Sequence, residues 1–401
     1  TRDEHITASG PVGGRRLDSL TGLRFVAALA VFTRHANPLG FLEHLTAQGA
    51  TAVSFFFILS GFVLTWSHRG DDGRRHFYRR RFARVYPAYI LVLAGAIVLR
   101  IIDHAGIDVW GLTASSLLVQ SWIPSSRYYY AINGVAWSLA CEAFFYALFP
   151  FLIKRLFRLD TRQRKLLLLA LFVLVISIPA SIRTYQVNDG VSFWFIYIFP
   201  VTRLAEFVIG MLVALAVRNR EDAPLGLLQV AGIAALAYVA AGFVPTYLLW
   251  AAVTVVPFAL LIWAVAVHDL SGRPSWLSTP LLIRLGEWSF AFYLVHTFAL
   301  STVNGRLGLP YPVRIVVALV LSIALAAALY HWVEKPLERR LRGARGTGRG
   351  SGAERSLAAP GAEGSSALGS LPRVAASAAS GHRQRVNETA HLMEDNGSRS
   401  G

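Results

Sequence analysis

The feature that most constrains the fold of this chain is that apolar segments about 20 residues long recur along it. A helix of that length crosses the ~30 Å hydrocarbon core of a bilayer. Hydrophobic residues make up 54% of the chain and charged residues 15%, which excludes an ordinary soluble domain. We predict an all-α polytopic membrane protein with about ten transmembrane helices, at 18–37, 50–67, 85–103, 132–153, 165–182, 193–217, 225–243, 246–267, 282–304 and 311–333.

The connections between these segments alternate in basic charge. Residues 69–84 and 154–165 are rich in arginine and lysine, whereas 37–49 contain neither and 104–131 contain only Arg127. The positive-inside rule therefore predicts that both termini lie on the inner side of the membrane. The same alternation explains most of the net charge of +16, so we expect the lipid bilayer as a partner and no nucleic acid.

The composition divides the chain into three parts. Residues 1–16 are predicted to be a short inner segment, and residues 17–340 to be the transmembrane domain. Residues 341–401 are rich in Gly, Ala, Ser and Arg and contain few large apolar side chains. We expect this last part to be a disordered cytoplasmic tail.

The first apolar segment carries two ionisable residues, Arg24 and His35. Eleven residues are close to three helical turns, so both fall on one helix face, roughly 16 Å apart along the axis. Ionisable groups inside a membrane usually mark a functional site. The alternative is that the two residues flank the span at its two interfaces.

The fourth segment contains a lone carboxylate, Glu142, one turn after Ser138. At that depth it must be paired or protonated. If the first and fourth segments run in opposite directions, Glu142 and His35 both fall in the outer half of the membrane. We therefore expect a contact in which Glu142 orients the imidazole ring. A structural hydrogen bond is the alternative role for Glu142.

A cluster of arginines precedes the third segment, with Arg80, Arg81 and Arg84 at its centre. Arg81 and Arg84 share a face if the helix has already begun there. Guanidinium groups at this position suit phosphate oxygens, and lipid head groups would satisfy them equally well.

The remaining polar residues of the spans could line a cavity or the protein core, or they could form only helix–helix hydrogen bonds. Arg203 stands three residues before Glu206 and can simply neutralise it. The single cysteine, Cys141, is a weak candidate for a nucleophile. Metal-ligand spacing is not found, and no bound cofactor is expected. The lining candidates are Ser60, Ser138, Arg203, Tyr293 and His296.

Taken in order, these motifs resemble the acyltransferase-3 family of bacterial integral-membrane O-acyltransferases. The resemblance covers roughly residues 17–340, and its most specific element is the Arg24–His35 spacing. The other elements are Phe55–Phe62, Arg81–Pro87, Trp137–Tyr146, Arg203–Met211 and Gly286–His296.

The resemblance implies a multi-pass enzyme of the bacterial inner membrane. Its donor would be acyl-CoA, carrying an acetyl or another short acyl group. Its acceptor would contain carbohydrate, such as a glycosylated macrolide, a glycolipid or a cell-surface glycan. His35, Glu142 and Arg24 would be the catalytic residues, and Arg80, Arg81 and Arg84 would bind the donor. His35 would act as the general base, and a transient acyl-histidine would fit the same residues.

The competing hypothesis is a transporter or flippase, in which Arg24, His35 and Glu142 form an intramembrane polar path. Two matching halves with broken helices, a frequent feature of transporters, are not evident in the sequence. The enzyme is therefore the favoured interpretation.

Overall fold

The computed structural model describes residues 16–36, 47–70, 73–184, 189–244, 248 and 251–343. In these residues the secondary structure is helical throughout, without a strand. The principal helices are α1 (Asp18–Ala36), α2 (Ala52–Trp66), α3 (Arg74–Ile102), α4 (Trp137–Arg158), α5 (Thr161–Thr184), α6 (Pro200–Arg218), α7 (Leu227–Ala240), α8 (Val255–Leu270), α9 (Pro280–Arg306), α10 (Tyr311–Leu329) and α11 (Lys335–Gly343).

Shorter helical turns connect the principal helices. Two of them are π-helical turns, Trp194–Ile198 before α6 and Tyr330–Glu334 after α10. The others are Ala47–Thr51, Val109–Ser116, Gln120–Trp122, Ser126–Tyr129, Asp189–Phe193, Ala241–Phe243 and Trp276–Ser278.

Each of the ten predicted segments overlaps with one of the helices α1 to α10. By length and apolar composition, five continuous helical stretches of the described chain are able to cross a membrane: Gln48–Trp66, Arg74–Ile102, Thr161–Ser181, Gly190–Arg218 and Tyr311–Arg340. The count of ten crossings and the inward orientation of the termini remain predictions. The proposed disordered tail lies outside the described residues, apart from the end of α11.

The start of α3 differs from the prediction that residues 69–84 form a connection. The helix begins at Arg74, so the arginine cluster is already helical. The reason is that arginine has a high helix propensity and this stretch has no Gly or Pro between Arg74 and Ala83. Arg81 and Arg84 therefore share one face of α3, as their spacing indicated.

Helices α2 and α6 form the centre of the bundle, while α5 lies at its edge. In the most apolar part of each helical stretch, the protein buries 78% of the residues in the stretch with α2 and 72% in the stretch with α6. In the stretch with α5 it buries only 11%. An apolar helix that the protein leaves uncovered is suited to contact with lipid. Helices α2 and α6 thus form the buried centre of the bundle, and α5 contributes to its apolar outer surface.

The close approach of α2 and α6 depends on two glycines. A Cβ atom added to Gly61 would overlap the carbonyl oxygen of Phe207, and one added to Gly210 would overlap that of Ile58. Small residues at such crossings let two backbones pack directly against each other. The Ser60–Gly61 pair is therefore a packing seam, although the Ser60 side chain also lines a cavity.

The N-terminus of α1 is anchored by a carboxylate from another helix. Asp269, at the end of α8, accepts hydrogen bonds from the backbone amides of Ser19 at 2.9 Å and Leu20 at 3.4 Å. These amides belong to the first turn, where a helix has no internal acceptors for its N–H groups. Asp269 therefore fixes the start of the helix that carries Arg24 and His35.

We expect Gly61→Ala to lower the free energy of unfolding by about 1–3 kcal/mol, because the added methyl group meets backbone atoms that cannot rotate away. The midpoint of thermal unfolding in detergent would measure the change. Gly95→Ala on α3 is the matched control, since no atom of the described residues outside the local helix backbone lies within 4 Å of its added Cβ atom. Equal effects of the two substitutions would contradict this account of the α2–α6 contact.

Candidate active site

A cavity of about 130 Å³ lies among α1, α2, α3, α4 and α9. We call it the core cavity. Its apolar wall comes mainly from α2 and its charged groups from α1, α3 and α4. The lining residues are Arg24, Val53, Phe56, Phe57, Leu59, Ser60, Val63, Leu64, Arg81, Arg84, Val85, Ser138, Leu139, Glu142, Tyr146, Ser289, Phe290 and Tyr293.

The charged part of this wall consists of Arg24, Arg81, Arg84, Glu142 and Tyr146, here called the charged cluster. The Tyr146 hydroxyl donates a hydrogen bond of 2.5 Å to Oε2 of Glu142. All three guanidinium groups lie within electrostatic range of the same carboxylate. Glu142 is therefore neutralised from several sides, which makes a carboxylate tolerable in an apolar bundle.

The charged cluster carries more positive than negative charge. Glu334, at the end of the π-helical turn after α10, interacts electrostatically with Arg84 and Arg24. Even with Glu142 and Glu334 both ionised, three cations face two anions, since arginine stays protonated in proteins. The cavity wall thus favours an anionic ligand.

Two donors of the charged cluster lack partners among the described residues. These are the Nε atoms of Arg24 and Arg81, which are buried and make no hydrogen bond within that part of the chain. Buried donors are normally paired, so an unpaired one at a cavity indicates a group that a ligand can satisfy. A phosphate or another oxyanion fits these positions by charge and by hydrogen bonding.

A second cavity, of about 480 Å³, adjoins the core cavity through Arg24 and Arg84, which line both. We call it the terminal cavity, because the start of α1 and the chain after α10 form much of its wall. Its other lining residues are Arg16, Thr21, Glu287, Tyr330, Glu334, Lys335, Glu338 and Arg339. The two shared arginines thus stand at the junction between a cationic rim and the core cavity.

His35 meets a second histidine at the far end of α1. Its Nδ1 lies 3.0 Å from Nε2 of His296 and 3.1 Å from the carbonyl oxygen of Val31. Nδ1 of His296 lies 2.8 Å from the carbonyl oxygen of Tyr293. His296 is fully buried, whereas His35 keeps an exposed surface. The pair therefore presents the His35 ring to an incoming molecule.

The histidine pair and the core cavity are connected through Tyr293. The Tyr293 side chain lines the cavity, and its hydroxyl shares a 2.8 Å hydrogen bond with Ser138 Oγ. The carbonyl of the same residue faces His296. His35 itself is not among the residues that line the core cavity, and Tyr293 and His296 connect its ring to that cavity.

The expected contact between His35 and Glu142 is wrong. Glu142 pairs with Tyr146 and the arginines, while His35 pairs with His296. The reason is depth: Ser138, one turn before Glu142, is the residue at the level of Tyr293. Four helical residues place Glu142 about 6 Å further from the histidines.

The structure places the other predicted site residues as follows. Arg81, Arg84, Ser60, Ser138 and Tyr293 line the core cavity, with Arg24 and Glu142. Arg80 neighbours Arg81 electrostatically but lies outside this lining. His296 also lies outside it, beside His35.

Arg203 lies in the protein core and not on the core cavity. It is 2% exposed and forms a 3.0 Å ion pair with Glu206. It also donates a hydrogen bond to Ser54 Oγ at 3.0 Å and lies over the ring of Phe57. The mutual neutralisation suggested by the i,i+3 spacing is therefore what the structure shows, and of the two predicted places Arg203 lies in the protein core.

Cys141 is fully buried, and its Sγ donates to the carbonyl oxygen of Ile198 at 3.2 Å. Cys141 lines neither of the two cavities described above, and a buried thiol that keeps its proton is a poor nucleophile. The sequence did not identify two residues that interact with the arginines of the charged cluster, Tyr146 and Glu334. For Tyr146, the i,i+4 spacing from Glu142 was a signal that could have been used.

We expect Arg203→Met to destabilise the protein by about 3–5 kcal/mol, because it leaves the buried Glu206 carboxylate without its cation. The double variant Arg203→Met/Glu206→Met should recover most of that loss. Unfolding in detergent, combined with an activity assay, would test both. A stable Arg203→Met protein that has lost only its activity would instead place Arg203 in the active site.

Comparison with known proteins agrees with these motifs. The acyltransferase-3 family model, described as an acyltransferase domain, matches residues 17–331. Acyltransferase MdmB of Streptomyces mycarofaciens is 37% identical over 358 residues, covering 81% of this chain and 92% of that protein. No solved structure matches the chain.

Two longer relatives are more distant. The putative peptidoglycan O-acetyltransferase YrhL of Bacillus subtilis is 27% identical, with 80% of this chain matching 55% of that protein. The O-acetyltransferase OatA of Staphylococcus aureus is 24% identical, with 81% of this chain matching 58% of that protein.

The resemblance carried by Arg24, His35 and the other motifs is thereby confirmed. These relatives are named as acyltransferases or O-acetyltransferases, and the transporter hypothesis receives no support from them. The chain is an acyltransferase, and it belongs to the acyltransferase-3 family.

Proposed function

We propose that this protein transfers a short acyl group from acyl-CoA to a hydroxyl group of a carbohydrate-containing acceptor. It would do so as a multi-pass protein of the bacterial inner membrane. The observation that carries the proposal is the charged cluster, with its unpaired arginine donors, on a cavity that Tyr293 and His296 connect to the exposed His35. This arrangement offers separate positions for a polyanionic donor and for proton transfer.

The charge and the shape of the two cavities suit acyl-CoA as the donor. The phosphates of a coenzyme A thioester suit the guanidinium groups of Arg81, Arg84 and Arg24, which provide charge and several N–H donors each. The narrow core cavity, with apolar side chains from α2 along one wall, suits the extended pantetheine arm. The terminal cavity, which shares Arg24 and Arg84, provides the approach for the nucleotide end.

His35 is the base in this mechanism. Its Nε2 takes the proton from the acceptor hydroxyl as the oxygen attacks the thioester carbonyl carbon. The C–O bond forms, the C–S bond breaks, and the coenzyme A thiolate leaves. The imidazolium then returns the proton to the thiolate, so that free coenzyme A and the acyl ester are the products.

Glu142 has a different role from the one expected in the sequence. It accepts from Tyr146 and faces the arginines, so it positions the donor-binding guanidinium groups and does not orient His35. Arg24 lies on the same helix as His35 but about 16 Å away along the axis. Binding of the donor is therefore the role of Arg24 in this proposal.

The proposed acceptor is a molecule that contains carbohydrate, either a glycan or a glycosylated metabolite. The name of one relative, putative peptidoglycan O-acetyltransferase, pairs acetyl transfer with a glycan. The relative with the higher identity, 37% against 27%, is named an acyltransferase without an acceptor, so the proposal also keeps the glycosylated metabolites, such as macrolides, that the family resemblance implies. A panel that contains both kinds of acceptor separates these possibilities.

We expect His35→Ala to reduce transfer at least ~100-fold, because a positioned general base contributes about 10²–10⁴-fold to the rate. Purified protein would be incubated with labelled acetyl-CoA and the acceptor panel, and free coenzyme A and labelled product would be followed together. His268→Ala, at the end of α8, is the control. Undiminished transfer by His35→Ala would refute the assignment.

We expect Arg81→Gln and Arg84→Gln each to raise the KM for acetyl-CoA about tenfold, the equivalent of about 1.4 kcal/mol of binding. The KM for the acceptor should not change. S-acetylpantetheine, which lacks the nucleotide phosphates, should be a poor donor for which the variants lose nothing further.

Arg79→Gln is the matched control for these two variants, because Arg79 is an exposed residue of the same helix. An increase in the acceptor KM, with an unchanged donor KM, would contradict the donor assignment. Equal effects of all three substitutions would also contradict it.

A further inference from the structure

We propose that His296 is a positioning residue that fixes the tautomer of His35 and thereby leaves the Nε2 lone pair of His35 free for the acceptor's proton. The inference rests on the proposed function of His35 as a base. It adds a residue whose part in the reaction is to control another residue, and it replaces Glu142 in the role of orienting group.

The first step is the tautomer of His296. Its Nδ1 lies 2.8 Å from the carbonyl oxygen of Tyr293, and a carbonyl oxygen only accepts hydrogen bonds. Nδ1 of His296 must therefore carry a hydrogen. A neutral imidazole has a single N–H, so Nε2 of His296 carries a lone pair.

The second step is that the tautomer of His296 determines the tautomer of His35. The lone pair on Nε2 of His296 lies 3.0 Å from Nδ1 of His35, and the Val31 carbonyl oxygen lies 3.1 Å from the same atom. Both neighbours are acceptors, so Nδ1 of His35 must carry the hydrogen. Nε2 of His35 is then the unprotonated nitrogen.

The opposite tautomer of His35, with the lone pair on Nδ1, is unfavourable for both histidines. A lone pair on Nδ1 of His35 would face the lone pairs of the Val31 carbonyl oxygen. His296 would then need hydrogens on both nitrogens, which makes it an imidazolium. His296 is fully buried, and among the described residues its electrostatic neighbour is His35, not a carboxylate. Burying an unpaired cation there is costly.

The ring of His296 is held in place by its surroundings. It stacks on Phe292, with the ring centroids 6.0 Å apart and the planes at 13°, and it also contacts Phe32 of α1. Asn133 donates from Nδ2 to the carbonyl oxygen of Leu294 at 3.2 Å, which ties α9 to the segment before α4. Rotation of His296 is thus restricted, and the acceptor that it offers to His35 has a fixed position.

This arrangement has a direct consequence for catalysis. When Nε2 of His35 takes the acceptor proton, the new imidazolium already donates from Nδ1 to a neutral nitrogen of His296. The positive charge is stabilised without rotation of either ring. In serine hydrolases a buried carboxylate orients the catalytic histidine in a comparable way. Here a neutral imidazole fixed by a backbone carbonyl takes that place.

Two amide substitutions separate the proposed role from simple packing. The amide of Gln at position 296 reaches the place of Nε2 and can accept from His35. The amide of Asn reaches only the place of Nδ1, so it keeps the bond to Tyr293 and removes the acceptor. We expect His296→Asn to lower kcat about 100-fold with little change in either KM, as for loss of an orienting partner.

His296→Gln should stay within about tenfold of the wild-type kcat. His268→Asn, outside both cavities, is the control. Equal kcat values for the Gln and Asn variants would overturn the proposal, whether both were near wild type or both were low. A rise in both KM values together with a loss of folded protein would also overturn it, since it would indicate a packing role.

A spectroscopic measurement decides the tautomer independently of turnover. Solid-state ¹⁵N spectra of histidine-labelled protein, assigned with His35→Ala, should show a protonated Nδ1 and an unprotonated Nε2 for His35. The reverse pattern in the wild type would overturn the inference even if transfer is observed. If the wild type transfers no acyl group, the proposed function fails, and the spectrum still tests the tautomer.

Discussion

The arrangement of this protein depends on how charge is balanced inside an apolar bundle. Glu142 lies among three arginines and a tyrosine contributed by α1, α3 and α4. A carboxylate or a guanidinium group left alone there would cost several kcal/mol, so the three helices must converge at this point. The glycine contact between α2 and α6 provides the compact centre against which they converge. The excess positive charge that remains prepares the cavity for an anion.

Two chemical tasks are separated along α1. The charged cluster, which includes Arg24, is suited to hold a phosphorylated donor, and the histidine pair at the other end of the helix is suited to move a proton. Tyr293 links them, because its side chain lines the core cavity and its carbonyl oxygen binds His296. In the proposed function, this separation would account for Arg24 and His35 lying on one helix face but three turns apart.

The sequence predicted the helices well, because an apolar segment of 20 residues has few alternatives to a helix in a membrane. It also predicted that Arg81 and Arg84 share a face and that Arg203 neutralises Glu206, since both relations are local. The partners of Glu142 and His35 were not predictable from spacing, because they depend on the relative depth of separate helices. The start of α3 at Arg74 shows the same limit, since charge alone does not end a helix.

The most direct test of this account is a structure determined by electron cryomicroscopy with a thioether analogue of acetyl-CoA that cannot transfer its acyl group. The account predicts phosphates bound by Arg81 and Arg84, with the acyl carbonyl beside Tyr293. It also predicts space for an acceptor hydroxyl within about 3 Å of Nε2 of His35. An analogue bound with its phosphates away from the charged cluster, or with its acyl end directed away from α9, would contradict it.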